Sequence, residues 1–174
     1  MILIRYCGGL GNQMFQYAFQ TAIQEKYKGI SVKADLSHYI LNHEHNGFEL
    51  EKFFQIRLQE AERKEIKKYS PYYMPSAEVL MMPKAIRNFV TERYQYRYTE
   101  QKKKKNPESF YRQEYHSSFE PKVFDLDRNK DWYLDGLWQN LRYLDGYEEK
   151  VRKAFTSFAS LMIKKAWGSI SMTI

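Results

Sequence analysis

Apolar residues open the chain in two successive patterns. Ile2 to Tyr6 are apolar except for Arg5, which predicts a short strand buried on both faces. After Asn12 the apolar positions recur three and four residues apart, which predicts a helix with one core-facing stripe. The members of that stripe are Phe15, Ala18, Phe19, Ala22 and Ile23. The chain is therefore expected to begin with a strand, a glycine-containing turn and a helix.

A second strand follows this helix. Lys28 and Gly29 supply the stop signal, because glycine commonly ends a helix. Residues 30–34, with the sequence ISVKA, then predict a strand that ends at Asp35. Two strands joined through a helix form a βαβ unit, whose strands are parallel. The sequence thus predicts a three-layer α/β fold with a parallel sheet.

Further elements of both kinds are predicted along the rest of the chain. Asn46-Gly47 is a turn signal, and Ser70-Pro71 ends a charged helical stretch. The predicted elements are an exposed helix at 58–68, a helix at 78–90, a half-exposed strand over the tyrosine alternation at 94–98, a buried strand at 131–139 and an amphipathic helix at 141–155.

Composition limits the class of protein. The 174 residues suffice for one domain with a core, and a hydrophobic share of 43% is that of a globular chain. The net charge of +7 favours anionic partners such as phosphates, nucleotides or an acidic membrane surface. Cys7 is the single cysteine, and its apolar surroundings predict a small buried residue rather than a nucleophile. No apolar run has the length of a signal-peptide core or a spanning helix, so a cytoplasmic protein is expected.

The glycines between the first strand and the first helix suggest a ligand site. In an α/β sheet this turn lies at the carboxyl edge of the strands, where the helix amides can receive an anion. Met14 stands where a dinucleotide fingerprint needs its third glycine, and no Lys-Ser/Thr pair follows for a triphosphate loop. The turn would instead present the amides of Asn12 and Gln13 to a ligand. The alternative is a tight turn in which Asn12 caps the helix. The residues leave both interpretations open.

Three blocks of sequence carry a resemblance to a known family. The string GGLGNQMFQYA, residues 8–18, resembles the N-terminal signature of the α-1,2-fucosyltransferases of glycosyltransferase family 11. NHEHNGFELEKFFQI and YLDGLWQNLRYL are similar to two further blocks of that family, in the same order and at similar spacing. The resemblance covers about residues 1–155.

This resemblance implies an inverting, metal-independent transferase that moves L-fucose from GDP-fucose to the 2-hydroxyl of a galactoside. It implies a Rossmann-like parallel sheet forming the N-terminal half of a two-lobed enzyme of the GT-B type. Its implied partners are the nucleotide-sugar donor and the galactoside acceptor, with possible peripheral association at the inner membrane and no cofactor. The residues that it would place near the sugar and pyrophosphate are Gly8, Gly9, Gly11, Asn12 and Gln13.

The chain departs from the family after Phe155. The family's His-x-Arg-Arg-x-Asp motif, which anchors GDP, does not occur in residues 156–174. The expectation is a truncated copy, weakly active or inactive, with an N-terminal lobe at 1–155 and a divergent tail at 156–174.

Other residues are weaker candidates for chemistry. Asp35, at the end of the second predicted strand, is a candidate base in the cleft or a cap for the segment around Ser37. Glu49 and Asp135 are further carboxylates of the matched blocks. Trp138 suits either a sugar face or, more commonly, a core. His43 and His45 are expected to be solvated loop residues, because no third metal donor lies near them, and His116 is too isolated to be assigned a role.

A second class of function is nucleic-acid binding without catalysis. The basic aromatic stretch RYQYRY and Lys102 to Lys105 have the chemistry of a stacking platform with phosphate contacts. Tyrosine alternation is equally good strand chemistry, and no RNA-binding motif accompanies it. Nucleic acid is therefore not the favoured partner.

Overall fold

A computed structural model of the chain describes residues 1–41, 45–72, 77–91 and 109–156. Four strands alternate with helices along these residues. The strands are β1 (Ile2–Arg5), β2 (Val32–Asp35), β3 (Phe110–Arg112) and β4 (Trp132–Asp135). The helices are α1 (Leu10–Lys26), α2 (His38–Leu41), α3 (Leu50–Phe54), α4 (Arg63–Tyr69), α5 (Ala77–Met81), α6 (84–91) and α7 (148–156), with 3-10 turns at Pro121–Phe124 and Leu141–Leu144.

The four strands form one parallel sheet in the order β2-β1-β4-β3. Ile2 is in register with Val32 on one side and with Trp132 on the other. Strand β1 is therefore central, and its side chains Ile2, Leu3 and Ile4 are at most 1% exposed. Burial of each such side chain contributes roughly 1.5–3 kcal/mol. The predicted α/β class and the predicted βαβ unit are confirmed.

Helix α1 places its apolar face in the core. Phe19 is fully buried and stacks on Trp138, with ring centroids 3.9 Å apart. Tyr143 meets the Phe19 ring edge-on at 5.2 Å. Ala18, Phe19, Ala22 and Ile23 of the predicted stripe are buried, whereas Phe15 is only half-buried. The stripe prediction is thus confirmed for its C-terminal part, and α1 ends at Lys26, two residues before the predicted stop.

The start of α1 corrects one of the two interpretations of the glycine turn. The N-cap is Gly9, and no side chain caps the helix. Asn12 lies inside the first turn, and its side-chain oxygen accepts a hydrogen bond from Gln139 at 2.7 Å. The prediction that Asn12 caps the helix is wrong, because the helix begins at Leu10, three residues before the position that a cap at Asn12 would give.

Several later elements differ from their predicted bounds. The helix predicted at 78–90 is interrupted at Pro83, since proline lacks the amide that continues the hydrogen-bond ladder. The helix predicted at 58–68 begins only at Arg63 and ends at Tyr69, directly before the predicted stop at Ser70-Pro71. The helix predicted at 141–155 is a 3-10 turn followed, after Gly146 with φ 85°, by α7. The predicted tyrosine strand, the lysine run and residues 157–174 lie outside the described residues.

Candidate functional site

The carboxyl ends of β1, β3 and β4 open on a cavity of about 380 Å³. Ligands of open parallel sheets bind at this edge, because the loops that follow the strands diverge there. The residues that line the cavity are Arg5, Cys7, Gly8, Asn12, His38, His45, Arg112, Gln113, His116, Asp135, Gly136 and Leu137. Eight of these twelve residues have polar or charged side chains, so the cavity offers several hydrogen-bond donors and acceptors.

One wall of the cavity is an ion pair between neighbouring strands. Arg5 ends β1 and donates from Nη1 to Oδ1 of Asp135, the last residue of β4, at 3.0 Å. The two side chains are 19% and 6% exposed. Tyr72 lies with its ring 4.1 Å from the Arg5 guanidinium carbon and donates its hydroxyl to Oδ2 of Asp135. The three side chains therefore fix one another's positions in this wall of the cavity.

The ion pair also fixes the tautomer of a histidine. Nη2 of Arg5 lies 3.2 Å from Nδ1 of His38. A guanidinium can only donate, so Nδ1 of His38 accepts and its ring proton resides on Nε2.

The electrostatics of this wall favour charged arginine and neutral tyrosine. Burial lowers the pKa of Arg5, but the Asp135 carboxylate and neighbouring groups outweigh it and leave the pKa above its ordinary value. Burial raises the pKa of Tyr72, and Asp135 raises it further. Arg112 adds a second cation, with Nε 3.6 Å from Oδ2 of Asp135 and a side chain that is 64% exposed. Two guanidinium groups thus face one carboxylate.

Cys7 lines the cavity and is half-buried, so the prediction of a buried residue is wrong in degree. Burial raises the pKa of its thiol, whereas Arg5 lowers it less strongly. Gln16 accepts from the Cys7 amide at 3.2 Å and donates toward its sulfur at 3.5 Å. A protonated, hydrogen-bonded thiol is a poor nucleophile, which agrees with the sequence interpretation.

The glycine turn is shaped by contacts within the protein. Gly8 has φ 77°, and a Cβ there would collide with the side chain of Asn12. A Cβ on Gly9 would lie 3.2 Å from Nδ1 of His45. Gly11 has open space around it. Gly8 and Gly9 therefore allow Asn12 and His45 to approach the turn closely, while nothing in the described residues requires a glycine at position 11.

The two amides expected at the ligand occupy different environments. Asn12 lines the cavity. Gln13 is fully buried, and its Nε2 donates to the carbonyl groups of Gly8 at 3.1 Å and Gly47 at 2.8 Å. Its Oε1 accepts from the Glu49 amide at 2.8 Å. The Gln13 side chain therefore joins the glycine turn to the loop before α3, behind the cavity surface.

The three candidate carboxylates also differ in whether they line the cavity. Asp35 is 0% exposed and accepts from the Ser37 amide at 2.8 Å and from the Tyr133 hydroxyl at 2.6 Å. Its local capping role is confirmed, and the structure places it in the interior rather than in the cavity wall. Glu49 is 5% exposed and likewise lies away from the lining. Asp135 is the carboxylate that lines the cavity.

Trp138 is a core residue, as the sequence favoured. It is 1% exposed between Phe19 and Tyr143, and its backbone is in the left-handed region at φ 56°. Its Nε1 is buried and meets no acceptor among the described residues. A Cβ on Gly136 would lie 2.8 Å from its ring, so this glycine is required by the packing of the tryptophan.

Several lining residues were missed from the sequence. Arg5 had a signal, since one charged residue interrupts an otherwise apolar strand beside the glycine turn. His38, Arg112 and Gln113 had none, because they approach the cavity only through the order of strands in the sheet. His45, interpreted as solvated, and His116, to which the sequence assigned no role, are both exposed and line the same cavity; His43 lies outside the described residues.

The described part of the chain holds no group of three His, Cys, Asp or Glu side chains arranged as metal ligands. Among those same residues, no helix is both long and apolar enough to cross a membrane.

Comparisons of the chain with protein-family models, with curated proteins and with solved structures found no match.

Proposed function

We propose that the cavity binds a galactoside and that the chain is the acceptor-side lobe of an α-1,2-fucosyltransferase-like protein of GT-B type. In that activity L-fucose passes from GDP-fucose to the 2-hydroxyl of a terminal galactose. Residues 156–174 lack the family's GDP-anchoring motif, and residues 1–174 by themselves are proposed to be weakly active or inactive.

The observation that carries the proposal is that the three sequence blocks with a resemblance to the fucosyltransferase family all contribute residues to one cavity. Gly8 and Asn12 of the first block, His45 of the second, and Asp135 and Gly136 of the third all line it. These blocks are far apart in the chain, and the sheet order brings them together. A shared cavity is what a common ligand requires, which supports a binding role for the blocks.

The chemistry of the lining also supports a sugar. Hydroxyl groups both donate and accept, and the cavity supplies guanidinium donors, amides, imidazoles and the Asp135 carboxylate. An inverting transfer needs a group that takes the proton from the attacking hydroxyl. Asp135 is the candidate for that role in this wall, and Arg5 and Tyr72 fix its orientation. Asp35 is not proposed as the base, since it is sealed inside the fold.

Ligand binding tests the proposal directly. Lactose, with maltose as the control sugar, is titrated by thermal shift and calorimetry; a ligand at ten times its Kd stabilises the fold by about 1.4 kcal/mol. We expect stabilisation by lactose and none by maltose. GDP-fucose is added in parallel, and fucose transfer is measured.

A matched pair of variants locates the binding. Asn12→Ala removes an amide from the lining and should weaken lactose binding, whereas Asn129→Ala changes an exposed turn residue and should leave it unchanged. No lactose effect on the wild type, or equal affinities of the two variants, would contradict the proposal. Fucose transfer at the rate of a two-lobed enzyme would contradict the expectation of an inactive lobe.

A further inference from the structure

Two buried glutamines make the same set of contacts on different loops of the cavity. Gln13 uses both hydrogens and its oxygen for backbone groups of Gly8, Gly47 and Glu49. Gln113, the residue after β3, donates to the carbonyls of Ser118 at 3.0 Å and His116 at 3.4 Å and accepts from the Trp138 amide at 2.9 Å. Gln13 is 0% and Gln113 4% exposed. Each amide thus joins backbone segments that are distant in the chain.

Each of these glutamines holds a loop that carries a lining histidine. Gln13 binds residues 47 and 49, directly after His45, whose ring lies against Gly9. Gln113 binds the carbonyl of His116 itself. Both histidines are exposed and both line the cavity. The carbonyl of His116 also accepts from the Gln139 amide at 2.9 Å, and that of Ser118 accepts from the Tyr143 hydroxyl at 3.2 Å, so the His116 loop keeps partners without Gln113. In the described residues the carbonyl of Gly47 and the amide of Glu49 are bound by Gln13, so the position of the His45 imidazole depends on this amide.

The energetics make this dependence strong. A buried backbone group that loses its partner costs about 1–3 kcal/mol, so a loop held by such a glutamine moves when the amide is removed rather than stay unpaired. The movement displaces the histidine without removing it. A glutamine substitution and a histidine substitution should therefore change the same part of the cavity.

We propose that His45 and His116 contact the ligand and that Gln13 is a positioning residue, which holds His45 through the backbone of its loop. The identity of the ligand rests on the proposed function. The positioning role does not depend on the proposed function, and it can be measured without a ligand, by a separate readout.

That readout is the alkylation rate of Cys7, the single cysteine and a lining residue of the same cavity. Iodoacetamide is applied under native conditions, with circular dichroism confirming that each variant is folded. His45→Ala removes an exposed ring from the cavity mouth and should raise the labelling rate several-fold. Gln13→Met preserves side-chain size, releases the loop and should raise it to a similar extent.

The double variant distinguishes positioning from general loosening. If Gln13 acts through His45, adding His45→Ala to Gln13→Met gives no further increase, because coupled sites are not additive. Gln20→Met is the matched control: Gln20 is also buried on α1, but it accepts from the Tyr6 hydroxyl at 2.9 Å, away from the cavity lining. It should lower stability and leave the Cys7 rate unchanged. The positioning proposal would be overturned if the increases in the Cys7 alkylation rate caused by Gln13→Met and His45→Ala multiplied in the double variant. Equal alkylation rates in the Gln13 and Gln20 variants would also overturn it.

Lactose affinity tests the ligand contacts. His45→Ala and His116→Ala should each weaken binding several-fold, and Gln113→Met should weaken it less than His116→Ala, because the Gln139 amide still binds the His116 carbonyl. Tyr115→Ala is the control, since Tyr115 is 70% exposed beside His116 and does not line the cavity. Unchanged affinity in the histidine variants would overturn the contact. If lactose does not bind the wild type, the proposed function and the ligand contact fail together, and the Cys7 rates still decide the positioning.

Discussion

The two strands on either side of β1 each end in an aspartate, and the two aspartates lie in different environments. Asp35 ends β2 and Asp135 ends β4. Both are almost completely buried, at 0% and 4% exposure, and both accept a tyrosine hydroxyl. The Asp35 carboxylate also accepts a hydrogen bond from the Ser37 amide. The Asp135 carboxylate instead accepts from the guanidinium of Arg5, and Asp135 lines the cavity. The position of a carboxylate at a strand end therefore does not identify a site; its partners do.

The largest expected effect comes from breaking the ion pair of Asp135. Asp135→Ala leaves the Arg5 guanidinium, 19% exposed, without its carboxylate. Removal of one partner of a mostly buried pair should lower the free energy of unfolding by about 3 kcal/mol, measured by urea denaturation. A loss below about 1 kcal/mol would mean that the pair behaves like a surface salt bridge.

Tyr133→Phe tests the other carboxylate. It removes the only side-chain donor that the structure shows for Asp35 within its described residues, and hydrogen bonds to charged groups contribute about 2 kcal/mol. Tyr72→Phe is the matched change at Asp135, where Arg5 remains and the ring still packs on it; its cost should be about 1 kcal/mol. Equal losses in urea unfolding would contradict the contrast between the two environments.

The same tyrosine should govern stability at alkaline pH. Burial raises the pKa of Tyr133 well above its ordinary value, and Asp35 raises it further. A raised pKa in the folded state contributes stability that is complete below the unfolded pKa of about 10 and is lost as pH rises above it.

Between pH 10 and 11.5 the stability of the wild type should fall more steeply than that of Tyr133→Phe, by up to about 1.4 kcal/mol per pH unit. Urea unfolding at several pH values measures the two slopes. Parallel slopes would show that other buried tyrosines account for the alkaline loss.

The smallest effect is expected for the second cation of Asp135. Arg112 is 64% exposed and lies 3.6 Å from the carboxylate. Arg112→Gln should change the free energy of unfolding by less than about 0.5 kcal/mol, because exposed ion pairs are screened by water. Thermal and urea unfolding measure it beside Asp135→Ala. If Arg112→Gln lowered the free energy of unfolding as much as Asp135→Ala, the exposed Arg112 rather than Arg5 would be the cation that stabilises Asp135.

The strands with continuous apolar sequence were predictable, and the short one was not. Ile2–Arg5 and Trp132–Asp135 are mainly apolar, and Val32–Asp35 follows the first helix with alternating apolar and charged residues, so the local pattern indicates all three strands. Phe110–Arg112 has three residues, too few for any period, and becomes a strand by pairing with β4. Pro83 was a readable signal for the break between α5 and α6 that the helical pattern concealed.

The candidate site was predictable in location and not in composition. The glycine turn after the first strand marked the sheet edge where the cavity lies. Gln13 was expected at the ligand but is buried, because its amide satisfies three backbone groups of converging loops. Which amide faces a cavity depends on loops contributed by distant residues, and such contacts leave no local pattern.

The sequence by itself determined a parallel α/β sheet and a close-packed glycine turn at its edge, since apolar spacing and glycine conformation act over a few residues. Only the tertiary structure decided that Arg5, Asp135 and Tyr72 form one wall and that Asp35 is sealed. The reason is physical: pairing β1 with both β2 and β4 sets which carboxylate lies beside a cation and which one accepts from a hydroxyl and a backbone amide.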